Sequence, residues 1–182
     1  MLSSSALGGL LLAVSIGSIW ASFDVMFEKF EQLNGTEIVS VKLRVRKYNR
    51  TISVLAGIMD LKEVADNNLE VGIRCAYSSK GNNQFNQYPM KIARTKMCDF
   101  LNNDWREYYP YFENSSNLPK VGECPVQPME FYFNDMVLDS NMFPPYLPHG
   151  LWRMSISLYR PGVDIPVILV EVYFKVAAVG VL

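Results

Sequence analysis

EIVSVKLRVRKY, residues 37–48, alternates apolar and polar side chains from Val39 to Arg46. Val39, Val41, Leu43 and Val45 fall on one side, and Ser40, Lys42, Arg44 and Arg46 on the other. A two-residue period puts successive side chains on opposite faces of a pleated strand, so this stretch reads as a half-buried strand and not as a helix. The same period returns in RTISVLAGIMDL (50–61) after a polar turn at YNRT, aligning Ile52, Val54, Ala56 and Ile58. It returns again in NLEVGIRCAYSS (68–79), where Leu69, Val71, Ile73, Cys75 and Tyr77 oppose Glu70, Gly72, Arg74 and Ala76. Further strand segments are 23–33, 84–93, 128–138, 151–160 and 165–177. About eight strands joined by polar turns predict an all-β, antiparallel sandwich.

One segment breaks the rhythm. In MCDFLNNDWREYYPYF (97–112), Met97, Phe100 or Leu101, Trp105 and Tyr108 recur at three- and four-residue spacing, the signature of an amphipathic helix. Asn102 and Asn103 are poor helix formers and Pro110 limits continuation, so one or two short turns are expected. The segment begins at Cys98, and the next cysteine, Cys124, follows a polar loop. A disulfide between them would clamp the helical turns across one end of the sandwich. Cys75 falls in phase with Val71 and Ile73, which fits a buried thiol; pairing of Cys75 with Cys98 or Cys124 is the alternative.

The bulk composition narrows the function classes. The chain has 182 residues, 49% of them apolar, enough for one domain with a real core. A formal net charge of −1 offers no general electrostatic case for nucleic acid, and the run KLRVRKYNR places its cations on the solvated face of a strand. MLSSSALGGLLLAVSIGSIWAS, residues 1–22, carries no charged side chain and ends in small residues, as a secretory signal peptide does. Its apolar part is shorter than the ~20 residues of a spanning helix, although an uncleaved anchor is the other reading. Residues 23–182 are then one mature domain. Asn34, Asn49 and Asn114 each begin an N-glycosylation sequon in a turn or loop, which is consistent with secretion.

Catalytic chemistry has little to stand on. The one histidine, His149, sits in the proline-rich turn FPPYLPHGLW, with no nucleophile elbow nearby. No His/Cys spacing suits zinc, no calcium loop is complete, and no glycine-rich phosphate loop occurs. No cofactor and no metal are expected. The large apolar residues of the C-terminal strands do align: Met129, Phe131 and Phe133; Trp152, Met154, Ile156 and Leu158; Ile168, Val170, Val172, Phe174 and Val176. Bulky aromatics and methionines facing one another build either a filled core or the wall of an apolar cavity.

The signal-like leader, the run of strands, MCDFL (97–101), GECP (122–125) followed by an aromatic strand, and PHGLWRMSISLY (148–159) resemble a family of insect secreted proteins. That family includes the CheA and CheB chemosensory proteins and looks like a distant branch of the MD-related lipid-recognition (ML) superfamily. The resemblance implies an immunoglobulin-like sandwich whose sheets part to admit an apolar molecule. It also implies that the segment after Cys98 forms a rim or lid. On that reading Phe100, Met129, Phe131, Phe133, Trp152, Met154, Ile156 and Phe174 line the cavity.

The expected function is a secreted, non-enzymatic carrier or presenter of a lipid, fatty acid or hydrocarbon, working as a monomer. A membrane receptor is a further partner class, and the setting implied is chemosensation. The rival is an extracellular protein-interaction module with a solid core, using Tyr108, Tyr109, Tyr111 and Phe112 as its interface.

Overall fold

Alternating apolar residues produce eight strands, which the computed structural model of residues 23–181 arranges in two antiparallel sheets. They are β1 (Phe23–Asn34), β2 (Val39–Lys47), β3 (Ser53–Leu61), β4 (Glu70–Ser78), β5 (Asn86–Lys96), β6 (Met129–Val137), β7 (Gly150–Tyr159) and β8 (Ile168–Ala178). The larger sheet runs β1-β8-β7-β4-β5 and the smaller β2-β3-β6. All eight expected strands are present. Between β5 and β6 come α1 (Met97–Asn102), α2 (Trp105–Tyr108) and a 3-10 turn, Tyr109–Tyr111. The helical segment breaks at the two asparagines, where the weak helix propensity lies. The expected leader, residues 1–22, lies outside the described residues.

The phase of β2 matches the sequence pattern; that of β3 does not follow the alignment of Ile52, Val54, Ala56 and Ile58. Leu55 pairs with Val45, Met59 with Val41 and Leu61 with Val39, so these three share the inward face with the apolar side of β2. The reason is that VLAGIM is apolar on both faces, and the cross-strand partners decide which one looks into the sandwich, although Val54 on the other face, opposite Arg46, is buried as well. Gly57 is required where it stands: its φ is +132°, and a Cβ there would lie 2.2 Å from the Lys42 carbonyl oxygen.

The sheets meet closely along one edge only, where β1 lies against β2 and β3. The Gln32 side chain fastens that edge. Its Nε2 donates to the Val39 carbonyl at 2.6 Å, and its Oε1 accepts from the Val41 amide at 3.0 Å. One side chain thus satisfies two backbone groups on the open edge of β2, as a neighbouring strand would.

Two apolar clusters close the ends of the sandwich. One gathers Phe23, Phe27, Leu55, Phe133, Met136, Trp152 and Phe174; the other gathers Val39, Leu61, Leu69, Leu101, Trp105, Phe131 and Ile168.

Candidate functional site

Between the two clusters runs a strip of inward-facing residues that the protein does not fully bury. The larger sheet sets Val170 opposite Ile156, Ile156 opposite Ile73, and Ile73 opposite Ile92, the last pair lying between two register shifts of β4 against β5. By the two-residue period this row points the same way as Trp152 and Phe174, toward the smaller sheet. β8, β7 and β4 are interior strands, so these are central positions on an inward face, the kind normally sealed from solvent. Yet Ile73, Ile156 and Val170 all remain part-exposed, as does Met154 next in line. Across from them Val41, Leu43 and Met59 on the smaller sheet are part-exposed too. Close backbone approach between the sheets is at β1 against β2 and β3, and most of the apolar residues of the middle pack against the two clusters without being fully buried.

The side away from β1, between the edge strands β5 and β6, is spanned by the helical segment. Cys98 and Cys124 form a disulfide, with Cα atoms 5.4 Å apart, which ties the start of α1 to the strand leading into β6. Trp105 Nε1 donates to the Pro119 carbonyl at 2.8 Å, and the Gly122 amide donates to the Leu101 carbonyl at 3.1 Å. Further on, the chain joins the edge of β6. The Asn134 amide donates to the Ser115 carbonyl at 2.7 Å, and the Tyr132 amide donates to Asn117 Oδ1 at 2.7 Å. Phe112 and Leu118 pack against both clusters, so the segment bridges the strip from end to end. At its far corner only Tyr111 reaches the opposite loop, its hydroxyl donating to the Asn141 carbonyl at 3.2 Å.

The eight residues expected to line a cavity divide into three groups. Trp152 and Phe174 are 0% exposed and stack with ring centroids 6.1 Å apart; Tyr88 meets the Trp152 face edge-on at 4.6 Å, and Trp152 Nε1 donates to the Pro148 carbonyl at 3.0 Å. Phe131 and Phe133 are buried in separate clusters. These four form the plugs at the two ends. Met154 and Ile156 stand on the part-exposed strip, and Phe100 packs on Trp105 at its floor, centroids 6.1 Å apart. Met129 opens β6 and is 41% exposed at the margin. Sequence reasoning did not assign Ile73, Ile92 and Val170 to the candidate site. Their alternation was visible, but the pairing that puts them in one row is a property of the sheet.

The strip is chemically bland. Cys75 is the one free thiol among the described residues; it is buried, and burial pushes its pKa up to about 11. Tyr108 is half-buried, and burial, reinforced by Glu107 and Asp104, holds its hydroxyl above the ordinary value. His149 is exposed in its turn. Among the described residues no three His, Cys, Asp or Glu side chains are grouped to hold a metal ion, and no helix is long and apolar enough to cross a membrane.

The three sequons are exposed at their asparagines. Asn49 Oδ1 accepts from the amides of Thr51 (2.9 Å) and Ile52 (2.7 Å), leaving its amide nitrogen outward in the β2–β3 hairpin. Asn34 differs, since its Nδ2 donates to the Pro166 carbonyl at 3.1 Å.

Residues 71–154 match the model of a family described as a protein of unknown function (DUF1091). The matched stretch begins on β4, takes in the disulfide and the helical segment, and ends midway along β7. It therefore holds the spanning segment, with Ile73, Ile92 and Met154 of the strip. No curated protein matches the chain.

Proposed function

We propose that this chain is a secreted, non-enzymatic binder of an apolar ligand such as a fatty acid, lipid or hydrocarbon. The ligand would lie along the strip between the sheets, covered by residues 97–118. One observation carries the reading: Ile73, Ile156 and Val170 are inward-facing residues on interior strands, and they are not buried by protein. Covering such surface with an apolar chain gains about 25 cal/mol per Å² and needs few polar contacts. The bland chemistry of the strip fits a carrier better than a catalyst. Secretion is supported by the apolar leader, the disulfide and the exposed sequons. The resemblance to an insect secreted, ML-like family points the same way, toward presentation of the ligand to a receptor.

The rival interaction module fits its aromatic side chains less well. Tyr108, Tyr109, Tyr111 and Phe112 are half-buried, with Phe112 wedged between the clusters, so they do not form a projecting aromatic surface.

The direct test is organic extraction of protein secreted from insect cells, followed by mass spectrometry, together with titration by a fluorescent fatty acid. The expected result is a co-purified apolar molecule and a saturable, near-stoichiometric fluorescence gain. An empty extract together with no probe binding would leave a solid sandwich and return the interaction module.

A further inference from the structure

The hairpin that joins β2, an edge strand of the smaller sheet, to the central strand β3 carries a charge imbalance that edge protection does not fully account for. Lys42, Arg44, Arg46, Lys47 and Arg50 fall within nine residues, with no acidic residue among them, in a chain that has 17 Lys and Arg against 18 Asp and Glu. All five are exposed. Only Arg46 makes an ion pair among the described residues, to Asp135 at 2.5 Å. A solvated sheet face commonly sets opposite charges across from one another. Here Lys42 stands opposite Ile58, Arg44 opposite Ala56 and Arg46 opposite Val54, so the cations border an apolar stripe. Apart from Asp135, which Arg46 holds, the carboxylates of this face are Asp60 and Glu130, opposite each other at its other end beside Ser40.

Charged edge residues do discourage strand pairing, and Lys42, Arg44 and Arg46 serve that purpose on β2. Lys47 ends the ladder opposite Ser53, and Arg50 lies in the turn beyond it, where there is no ladder to protect. Between them Tyr48 projects at 65% exposure, and Val137, at the adjoining end of β6, is 50% exposed. A cationic rim around a projecting tyrosine and an aliphatic side chain matches the boundary of an anionic bilayer: charges at the headgroups, the amphipathic ring at the interface. The geometry points to this hairpin end of the smaller sheet as a docking surface for anionic lipid membranes. An acidic polypeptide would satisfy the cations but give no role to Tyr48 and Val137. The inference does not rest on the apolar strip, which lies on the opposite face of the same sheet.

The sequon at Asn49 lies at the tip, and a glycan there would hold the hairpin off a bilayer. The test therefore uses the full mature chain with Thr51→Val, which removes the sequon and keeps the residue-51 amide that bonds Asn49. Co-sedimentation is measured with vesicles of phosphatidylcholine alone and with about 30 mol% phosphatidylserine, at about 50 and about 300 mM NaCl. The expected outcome is binding to the anionic vesicles only, weakened about ten-fold or more by the higher salt. Combined Lys42→Gln, Arg44→Gln, Lys47→Gln and Arg50→Gln weakens it by a further factor of about ten or more. Lys42→Arg with Lys47→Arg keeps it, and Tyr48→Ser lowers it several-fold. Melting curves confirm that each variant is folded. Equal binding to both vesicle types, binding to neither, or a folded four-charge variant with unchanged binding overturns the proposal. So does retention by poly-glutamate without vesicle binding, which would assign the surface to an acidic polypeptide.

Discussion

Ile156 on β7 stands directly opposite Ile73 on β4 in the middle of the five-stranded sheet, and neither is buried. Two residues along β7, in the same phase, Met154 is also part-exposed, and two further along Trp152 is sealed completely. The change from wall to plug therefore takes place within five residues of one strand, and substitutions along it separate the two roles.

Ile156→Trp is expected to fold and be secreted, since Ile156 is not fully buried, and to lower fluorescent fatty-acid affinity about ten-fold or more by occupying the site. Trp152→Ala opens a void among close-packed rings and should cost about 3–5 kcal/mol. Chemical denaturation and probe titration on both variants check this. Unfolding of Ile156→Trp, with parent protein that binds no probe, would mark the strip as filled core.

The covalent clamp is the second test. Cys98–Cys124 closes a loop across 26 positions, and in the chain-entropy account its loss should lower stability by roughly 3.5 kcal/mol. Paired Cys98→Ser and Cys124→Ser replacement, followed by denaturant unfolding, measures it. The variant should also exchange probe faster, because α1 is then held at that end mainly by the Trp105–Pro119 and Gly122–Leu101 hydrogen bonds.

Cys75 gives a pH-dependent signature. Its thiol is raised from 9.0 to about 11 by burial, so between these values the unfolded chain releases a proton that the folded chain keeps. Stability must then fall as pH rises from 9 toward 11, at up to about 1.4 kcal/mol per pH unit, and this contribution levels off beyond. Cys75→Ala removes this slope from plots of unfolding free energy against pH. In the parent protein at pH 8 the thiol should react with Ellman's reagent only after denaturation.

Gln32→Ala should loosen the closed edge of the sandwich. It leaves the Val39 carbonyl and the Val41 amide without their partner, a loss of about 1–3 kcal/mol. Hydrogen exchange should show the Val41 amide losing protection first, while the β7–β8 ladder is unaffected. Uniform loss of protection across both sheets would contradict a local role for Gln32.

Intact mass of the secreted chain tests processing. The expected product starts near residue 22 or 23 and carries glycan on at least one sequon, with Asn114, exposed in its loop, the position expected. A retained leader together with no glycan would remove the case for secretion.

The sequence by itself determined the eight strands and the broken helical segment, and it pointed to the Cys98–Cys124 disulfide and a buried Cys75 while leaving another pairing open. Each of these is local: alternation, helix propensity and cysteine spacing act over a few residues or through a covalent bond. It did not determine which face of β3 is buried, because Val54, Leu55, Ala56, Ile58 and Met59 are apolar on both sides and only pairing with β2 breaks the tie. Nor did it separate wall from plug, since Trp152, Met154 and Ile156 carry the same phase and the same apolar character. That distinction arises from which residues of the two sheets face one another at each level. Close approach is confined to β1 against β2 and β3, while the two clusters fill the ends. That facing is set by many side chains from distant strands acting together, and only the tertiary structure brings those residues face to face.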